Sequence, residues 1–278
     1  MKNKKTKALP PLFWYVAVLG IVLAFLELKP PVYSEDGLIN RLLGITVTRL
    51  IGTLAFLPLM FRFGFRLNGL TKVRPLSAIL ITVPAFLVVI NNFPIIGLMT
   101  GNVRIVKTGI YLVLYAVESL SIGLFEEIAF RGVLFPAFLE NHRSSTKQIF
   151  LSAFVSSAAF GAIHLFNLMA GAGFGGVILQ IGYSFLIGGM CSAVLLRTHN
   201  VWICVILHTL FDFGGFLTET LGEGIIWDTA TVIITALLGV LVFGHMLYVM
   251  LKTEPYHVDG IFSGKKTHSD GEESGSAD

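Results

Sequence analysis

Long apolar runs alternate with short polar or Gly/Pro-containing breaks from one end of the chain to the other. The runs lie near 11–28, 41–60, 76–93, 108–139, 147–169, 175–196, 201–217 and 229–251. Each is about long enough to cross the roughly 30 Å hydrocarbon core of a bilayer, the seventh least comfortably. None alternates with the period of two that a barrel strand needs, and a segment inside lipid must satisfy its own backbone hydrogen bonds. The pattern therefore predicts an all-α fold, a polytopic transmembrane helical bundle of about eight spans filling residues 1–252. Gly171, Gly173, Gly175 and Gly176 predict a tight outer turn. From Thr253 the chain turns polar, with Pro255, Gly260, Gly264 and the closing run SDGEESGSAD. Such a composition buries too little apolar surface to fold, which predicts a disordered cytoplasmic tail over 253–278.

Composition agrees with lipid as the main solvent: 54% of the 278 residues are hydrophobic, 13% are charged and the mean hydropathy is +0.78. A formal charge of +3, spread over loops and the N-terminus, excludes a nucleic-acid footprint. The basic residues report topology instead. With the N-terminus inside, Lys2, Lys4, Lys5, Lys7, Arg62, Arg66, Lys72, Arg74, Arg143, Lys147, Arg197, Lys252, Lys265 and Lys266 fall on the cytoplasmic side, and only Lys29, Arg41, Arg104 and Lys107 fall outside. Both termini are thus expected in the cytoplasm of a multi-pass protein, in the cell membrane. The first run follows basic residues as a signal peptide does, but no small-x-small cleavage site follows it, so it reads as an uncleaved span. Cys191 and Cys204 lie in apolar segments without C-x-x-C spacing and read as small buried hydrophobes.

Ionisable groups within the runs change the picture from architecture to chemistry, because each costs about 2.5–3.5 kcal/mol at the bilayer centre and so marks function or a specific partner. The fourth run carries Glu118, Glu126, Glu127 and Arg131, the fifth Phe160 and His164, the seventh His208 and Asp212, and the second Arg49. Helical spacing places Glu127 over Arg131, His208 over Asp212 and Phe160 one turn from His164. Glu126 is about 100° round the helix from Glu127, so one carboxylate is free to titrate while Arg131 neutralises the other. A Glu/Arg pair at i,i+4 is usually structural, and a lone intramembrane histidine is often a satisfied hydrogen-bonder. Three runs that each donate a titratable group require a shared polar cavity. Arg49 and Glu118 read as structural partners or cavity liners. His142, His199, His245, His257 and His268 receive no role.

The segments EEIAFR at 126–131, FGAIH at 160–164 and HTLFD at 208–212 resemble, in order, the E-E-x-x-x-R, F-x-x-x-H and H-x-x-x-N/D motifs of the CAAX-protease and bacteriocin-processing family of intramembrane endopeptidases. The resemblance covers about residues 108–217. It implies that Glu126 is the catalytic glutamate, that His164 helps it hold and activate a water, and that His208 and Asp212 stabilise the oxyanion from the opposite side. Glu127, Arg131 and Phe160 then support the site. The prenyl-protein endopeptidases of eukaryotes resemble one another in having Asn at the position of Asp212. An ionised Asp cannot donate to an oxyanion, so here Asp212 is expected to orient and charge His208, leaving that histidine as donor.

Residue chemistry alone supports the same reaction: Glu126 and two histidines supply a base for water, a donor for the oxyanion and an acid for the leaving amine. No Ser–His–Asp set or reactive cysteine competes. One carboxylate and two histidines are also a zinc ligand set with an open position, so a divalent metal stays open as a cofactor beside the metal-independent route that the resemblance favours. The expected partners are the bilayer and a peptide or membrane-associated protein substrate, prenylated or not, with no nucleic acid. A proton-coupled transporter and a non-catalytic immunity or scaffold protein are the competing functions. The transporter predicts inverted repeats and interrupted helices, which the sequence does not display. The immunity protein predicts degenerate motifs. His208 lies about 10 Å of helix from the inner end of its run and Glu126 about 20 Å, which places the site in the cytoplasmic half, opening inward. His164 would lie about 25 Å up, unless its helix is tilted or starts in the cytoplasm.

Overall fold

The computed structural model describes residues 31–69 and 74–263, with Val18 and Gly20. The first expected span, 11–28, lies outside the described residues but for those two. Asp36 opens α1 (Gly37–Arg62) by accepting from the Leu38 and Ile39 amides at 2.9 Å each. Pro75 begins α2 (Pro75–Asn91), its fixed φ suiting the first helical position. A short α3 (Ile95–Thr100) and strand β1 (Val103–Ile105) follow. Next comes a continuous helical run with three parts: α4 (Ile110–Glu127), a π-helical stretch (Ile128–Leu134) and α5 (Phe135–Glu140). Ser145 caps α6 (Thr146–Ala162), which tightens into a 3₁₀ turn (Ile163–Leu168). The helices α7 (Phe174–Thr198) and α8 (Val201–Leu221) are joined by His199, in the left-handed region at φ 52°, and by the N-cap Asn200. Strand β2 (Gly222–Gly224) leads to α9 (Thr229–Leu251), capped by Asp228.

The helices α1, α6 with its 3₁₀ extension, α7, α8 and α9 are long and apolar enough to cross a membrane. Of the remaining expected spans, the third is an apolar helix of 17 residues and the fourth, 110–140, is charged. Against the eight spans expected, five helices among the described residues are thus able to cross by length and composition. The seventh, expected to be marginal, extends to Leu221 and has 21 residues. Only 11% of the most apolar stretch of α9 is buried, leaving Leu237, Val240, Leu241 and Phe243 exposed, a band that water would not tolerate and lipid would.

Contacts Arg41–Glu118, Arg49–Phe125 and Met60–Gly132 climb α1 and the 110–140 run in the same order, so the two lie parallel. Glycine sets two close approaches. A Cβ at Gly123 would collide with Thr209 of α8, and one at Gly188 would lie 2.8 Å from the Arg131 guanidinium.

The loops expected on the cytoplasmic side gather at one end of the bundle. There the Gly69 amide donates to the His199 carbonyl, the Val201 amide to Leu67, and the Arg66 amide to Ile261.

Two expectations need correction. The fold is not purely helical: β1 and β2 pair antiparallel, with Val103 opposite Gly224 and Ile105 opposite Gly222. Three residues are too few to show an alternating pattern, and a Cβ at Gly224 would strike the Asn102 backbone. The tail also begins later than expected. Residues 253–263 fold back as a 3₁₀ turn (Pro255–His257) and α10 (Asp259–Phe262), burying Thr253, Val258, Ile261 and Phe262. Arg143 pairs with Asp259 and stacks over Phe262, while Arg197 donates to the Val249 and Lys252 carbonyls. Residues 264–278 of the expected tail lie outside the described residues.

Candidate active site

The EEIAFR segment straddles the junction of α4 with the π stretch, so its side chains leave the helix where the winding changes. Single π turns in α-helices are frequent at functional sites. Glu127 and Arg131 are both fully buried, and the Arg131 Nη1 donates to Glu127 Oε1 at 2.9 Å. The expected pair is present. The guanidinium also lies 4.5 Å from the centroid of the Phe160 ring, close to the Gly188 backbone.

His208, on the buried face of α8, is the meeting point of three carboxylates. Its Nδ1 is 2.8 Å from Glu127 Oε1, and its Nε2 is 3.6 Å from Glu126 Oε2 and 3.4 Å from Asp212 Oδ2. Every acceptor around the ring is a carboxylate oxygen, so both nitrogens serve as donors. The geometry divides the work differently from expectation. Glu127, beyond holding Arg131, fixes His208 through Nδ1, while Asp212 stands on the Nε2 side with Glu126. Glu126 and Asp212 each keep 13% of their side chain exposed, whereas Glu127 keeps none.

Phe160 touches both histidines. Its ring is 5.6 Å from that of His164 and 5.7 Å from that of His208, both edge-on, and it meets Phe130 at 4.9 Å. His164 sits in the 3₁₀ turn with its Nε2 buried and without a hydrogen-bond partner. Phe160 lies 14 residues into α6 and His208 seven into α8, so helices that start at the same end must be offset by about 10 Å for these rings to touch. That offset or tilt removes the awkward height that a straight, upright α6 would give His164.

Glu118 is buried and pairs with Arg41 at 3.6 Å, and the Tyr115 hydroxyl one turn earlier donates to the Asp212 and Phe213 carbonyls at 3.1 and 2.9 Å. His199, which was given no role, links the helix ends: its Nε2 donates to the His257 carbonyl at 2.7 Å. His142, also given none, accepts no site contact and faces the Phe138 carbonyl. His245 faces the Leu80 carbonyl. A cavity of about 250 Å³ lies away from the motifs, lined by Leu87, Phe93, Ile226 and Thr231 among others.

Of the carboxylate and two histidines that could hold zinc, Glu126 Oε2 lies 3.6 Å from His208 Nε2, His208 Nδ1 is taken by Glu127, and the His164 Nε2 has no hydrogen-bond partner. Among the described residues the group with ligating atoms within 4.8 Å of one another is Glu127 with Cys191 and Cys204, all buried. The Cys204 thiol donates to the Cys191 carbonyl at 3.3 Å. Nothing in the sequence placed these two cysteines behind Glu127, since their contact depends on how α7 and α8 fold over each other.

The three motifs thus converge from the 110–140 run, α6 and α8 on one imidazole and its neighbours. Residues 108–214 match the family model described as type II CAAX prenyl endopeptidase Rce1-like. The matched stretch begins just before α4 and ends two residues past Asp212, so it contains all three motifs and is the family that they resemble. It spans less than half of the chain. No curated protein and no solved structure matches the chain. The matched stretch is thus similar to a CAAX prenyl endopeptidase, and five helices among the described residues are long and apolar enough to cross a membrane.

Proposed function

We propose that the protein is a CAAX-type intramembrane endopeptidase in which Glu126, assisted by His164, activates water for attack on a peptide bond of a membrane-associated substrate. The observation that carries this reading is the buried, unpartnered His164 Nε2, one aromatic ring away from a histidine clamped by three carboxylates. An orphaned polar atom of that kind marks a place for a water or a substrate group.

In the proposed sequence Glu126 takes a proton from the water, and the resulting hydroxide adds to the carbonyl carbon. The oxyanion accepts from the Nε2–H of His208, whose orientation Glu127 holds through Nδ1. Glu126 then returns its proton to the leaving amine as the C–N bond breaks, giving a carboxylate and an amine. Asp212, at 3.4 Å from the same Nε2, steadies the positive charge of the ring. Phe160 supports both histidine rings, and Arg131 keeps Glu127 in place. No step calls on a metal.

The test uses protein purified into lipid nanodiscs and a panel of peptides, both soluble and lipid-anchored near the C-terminus. Glu126→Gln should lower cleavage by at least about 10²-fold without disturbing insertion, and wild-type cleavage should survive a strong chelator. A folded Glu126→Gln variant that still cleaves, or activity that disappears on chelation and returns with zinc, would overturn this mechanism.

A further inference from the structure

Hydrolysis needs water and an extended peptide at Glu126, and two helix faces record the direction from which they can come. On α7, Gln180, Tyr183, Ile187 and Cys191 recur at three- and four-residue spacing and share a face. Cys191 is fully buried with its sulfur within 4.8 Å of a Glu127 oxygen, and Ile187 is buried as well. One turn farther the stripe changes to a phenol and then to an amide, both only partly buried. On α8, Cys204, His208, Asp212 and Glu219 share a face in the same way. Exposure along it rises from none at Cys204, through 13% of the Asp212 side chain, to the exposed Glu219. Since α7 ends and α8 begins in the loop cluster around Gly69 and His199, both stripes turn polar and open in one direction, away from that cluster.

Toward the cluster the way is shut. Val133, Phe135, Leu139, Leu195, Leu196 and Val201 have no exposed surface and belong to one continuous apolar core, which a peptide could cross only by parting it. In the other direction the wall is low. The 3₁₀ turn after α6 ends at Leu168, four residues or about 8 Å past His164, and α7 starts at Phe174, so the hairpin between them closes near the histidine. By contrast, α8 runs on for nine residues past Asp212, about 14 Å. The rim of the hairpin is polar: Asn167 Nδ2 donates to Gln180 Oε1 at 2.8 Å. Tyr183 stands between rim and site, its ring 6.2 Å from that of Phe211 and its phenol within electrostatic reach of Asp212, Glu126 and Glu219.

We infer that the site opens at the Glu219 end of the bundle, through a polar mouth formed by Asn167, Gln180 and Tyr183, and that its substrate is a polypeptide presented on that side of the membrane. This rests on the proposed peptidase role of Glu126. It reverses the inward opening expected from the heights of Glu126 and His208 along their helices, because height sets how deep a site lies, whereas burial sets which way it opens. The amides of Asn167 and Gln180 and the hydroxyl of Tyr183 suit the backbone N–H and C=O groups of an extended chain, which need partners once they leave water. With the basic loops in the cytoplasm, as their charge predicts, the mouth faces away from it. The substrate class is then an exported peptide or an outward-facing segment of a membrane protein, not a cytoplasmic tail.

Two measurements on the full chain test this. In sealed vesicles of one orientation and their inverted counterparts, a membrane-impermeant maleimide is applied to Gln180→Cys and, one turn deeper, Tyr183→Cys, with Ser144→Cys and Glu219→Cys marking the two ends of the bundle. Cys191 and Cys204 have no exposed surface, so the unaltered chain is the blank. Gln180→Cys and Tyr183→Cys should label from the side that labels Glu219→Cys and not from the side that labels Ser144→Cys. Labelling of either from the Ser144 side, labelling of neither from any side, or markers that both label from one side overturns the inference. In the second measurement a peptide cleaved by the detergent-solubilised wild type is added to one side of sealed vesicles at a time. Cleavage should occur only from the Glu219 side, and cleavage from the Ser144 side alone overturns the inference too. If the wild type cleaves no peptide even in detergent, the peptidase reading fails, while the labelling still decides where the cavity opens.

Discussion

Replacing Glu127 by glutamine keeps the shape of the side chain and removes one charge, which makes it a direct probe of how the site is held. The wild-type carboxylate meets two donors, Arg131 at 2.9 Å and His208 at 2.8 Å, and neither it nor Arg131 has any exposed surface. Among the described residues Arg131 pairs with no other carboxylate: its Nε and Nη2 lack hydrogen-bond partners, and its remaining support is the Phe160 ring at 4.5 Å and the Phe130 ring at 5.8 Å. Breaking a buried pair from one side typically costs about 3–5 kcal/mol, because the surviving charge is stranded. A cation–π contact gives back at most about 2 kcal/mol, and it is already present in the wild type. Partners found by the unfolded chain within the bilayer reduce the cost further. The expected loss for Glu127→Gln is therefore about 2–4 kcal/mol, read as an earlier midpoint in SDS titration of the purified protein. The double variant Glu127→Gln/Arg131→Met removes the stranded charge and should recover at least half of that loss. Cleavage should fall in both, since the Nδ1 of His208 then faces a neutral amide in place of a carboxylate. A single variant as stable as wild type, or a double variant no more stable than the single, would refute the view that a buried charge pair braces the site.

Two further outcomes follow from the loops and helix ends. Single cysteines at Ser144 and Glu219, in a Cys191→Ala/Cys204→Ala background, should label from opposite sides of the membrane, Ser144 from the cytoplasm; labelling of both from one side would break the proposed topology. Burial pushes His199 and His257 below the ordinary histidine value, so the docked state of residues 253–263 disfavours their protonation. The stability they lend to docking is complete above about pH 6.5 and is lost as pH falls through their lowered values. Amide exchange over 253–263 should accordingly quicken from pH 7 to pH 5 after correction for intrinsic rates, and a flat profile would remove the two histidines from the docking contact.

Patterns internal to one helix were legible in the sequence. The last apolar run was expected over 229–251, and α9 has those bounds. The pairs Glu127–Arg131 and His208–Asp212 meet as i,i+4 spacing requires. Contacts between helices were not legible, because they depend on rotation and offset that no single segment encodes. The Glu127–His208 bond joins residues 81 apart in sequence, and Cys191 and Cys204 reach Glu127 only once α7 and α8 pack. The folded start of the tail had a signal that polar composition obscured: Val258, Ile261 and Phe262 recur at helical spacing, and all three are buried. Short strands pinned by glycine left no periodicity to read.

The π-helical stretch at Ile128–Leu134 has a consequence for comparing this chain with others. Winding that bonds i to i+5 holds an extra residue in the turn, so every side chain from Phe135 onward is turned by about one residue, roughly 100°, relative to a uniform α-helix running on from Glu127. A related sequence that lacked one residue between 128 and 134 could run on as an unbroken α-helix and present the same faces of its counterpart of Phe135–Glu140 to its neighbours. Alignments that forbid a gap inside this helix would then equate residues on different faces. Allowing a single-residue gap there, downstream of the two glutamates, keeps the catalytic face and the packing face each in its own register.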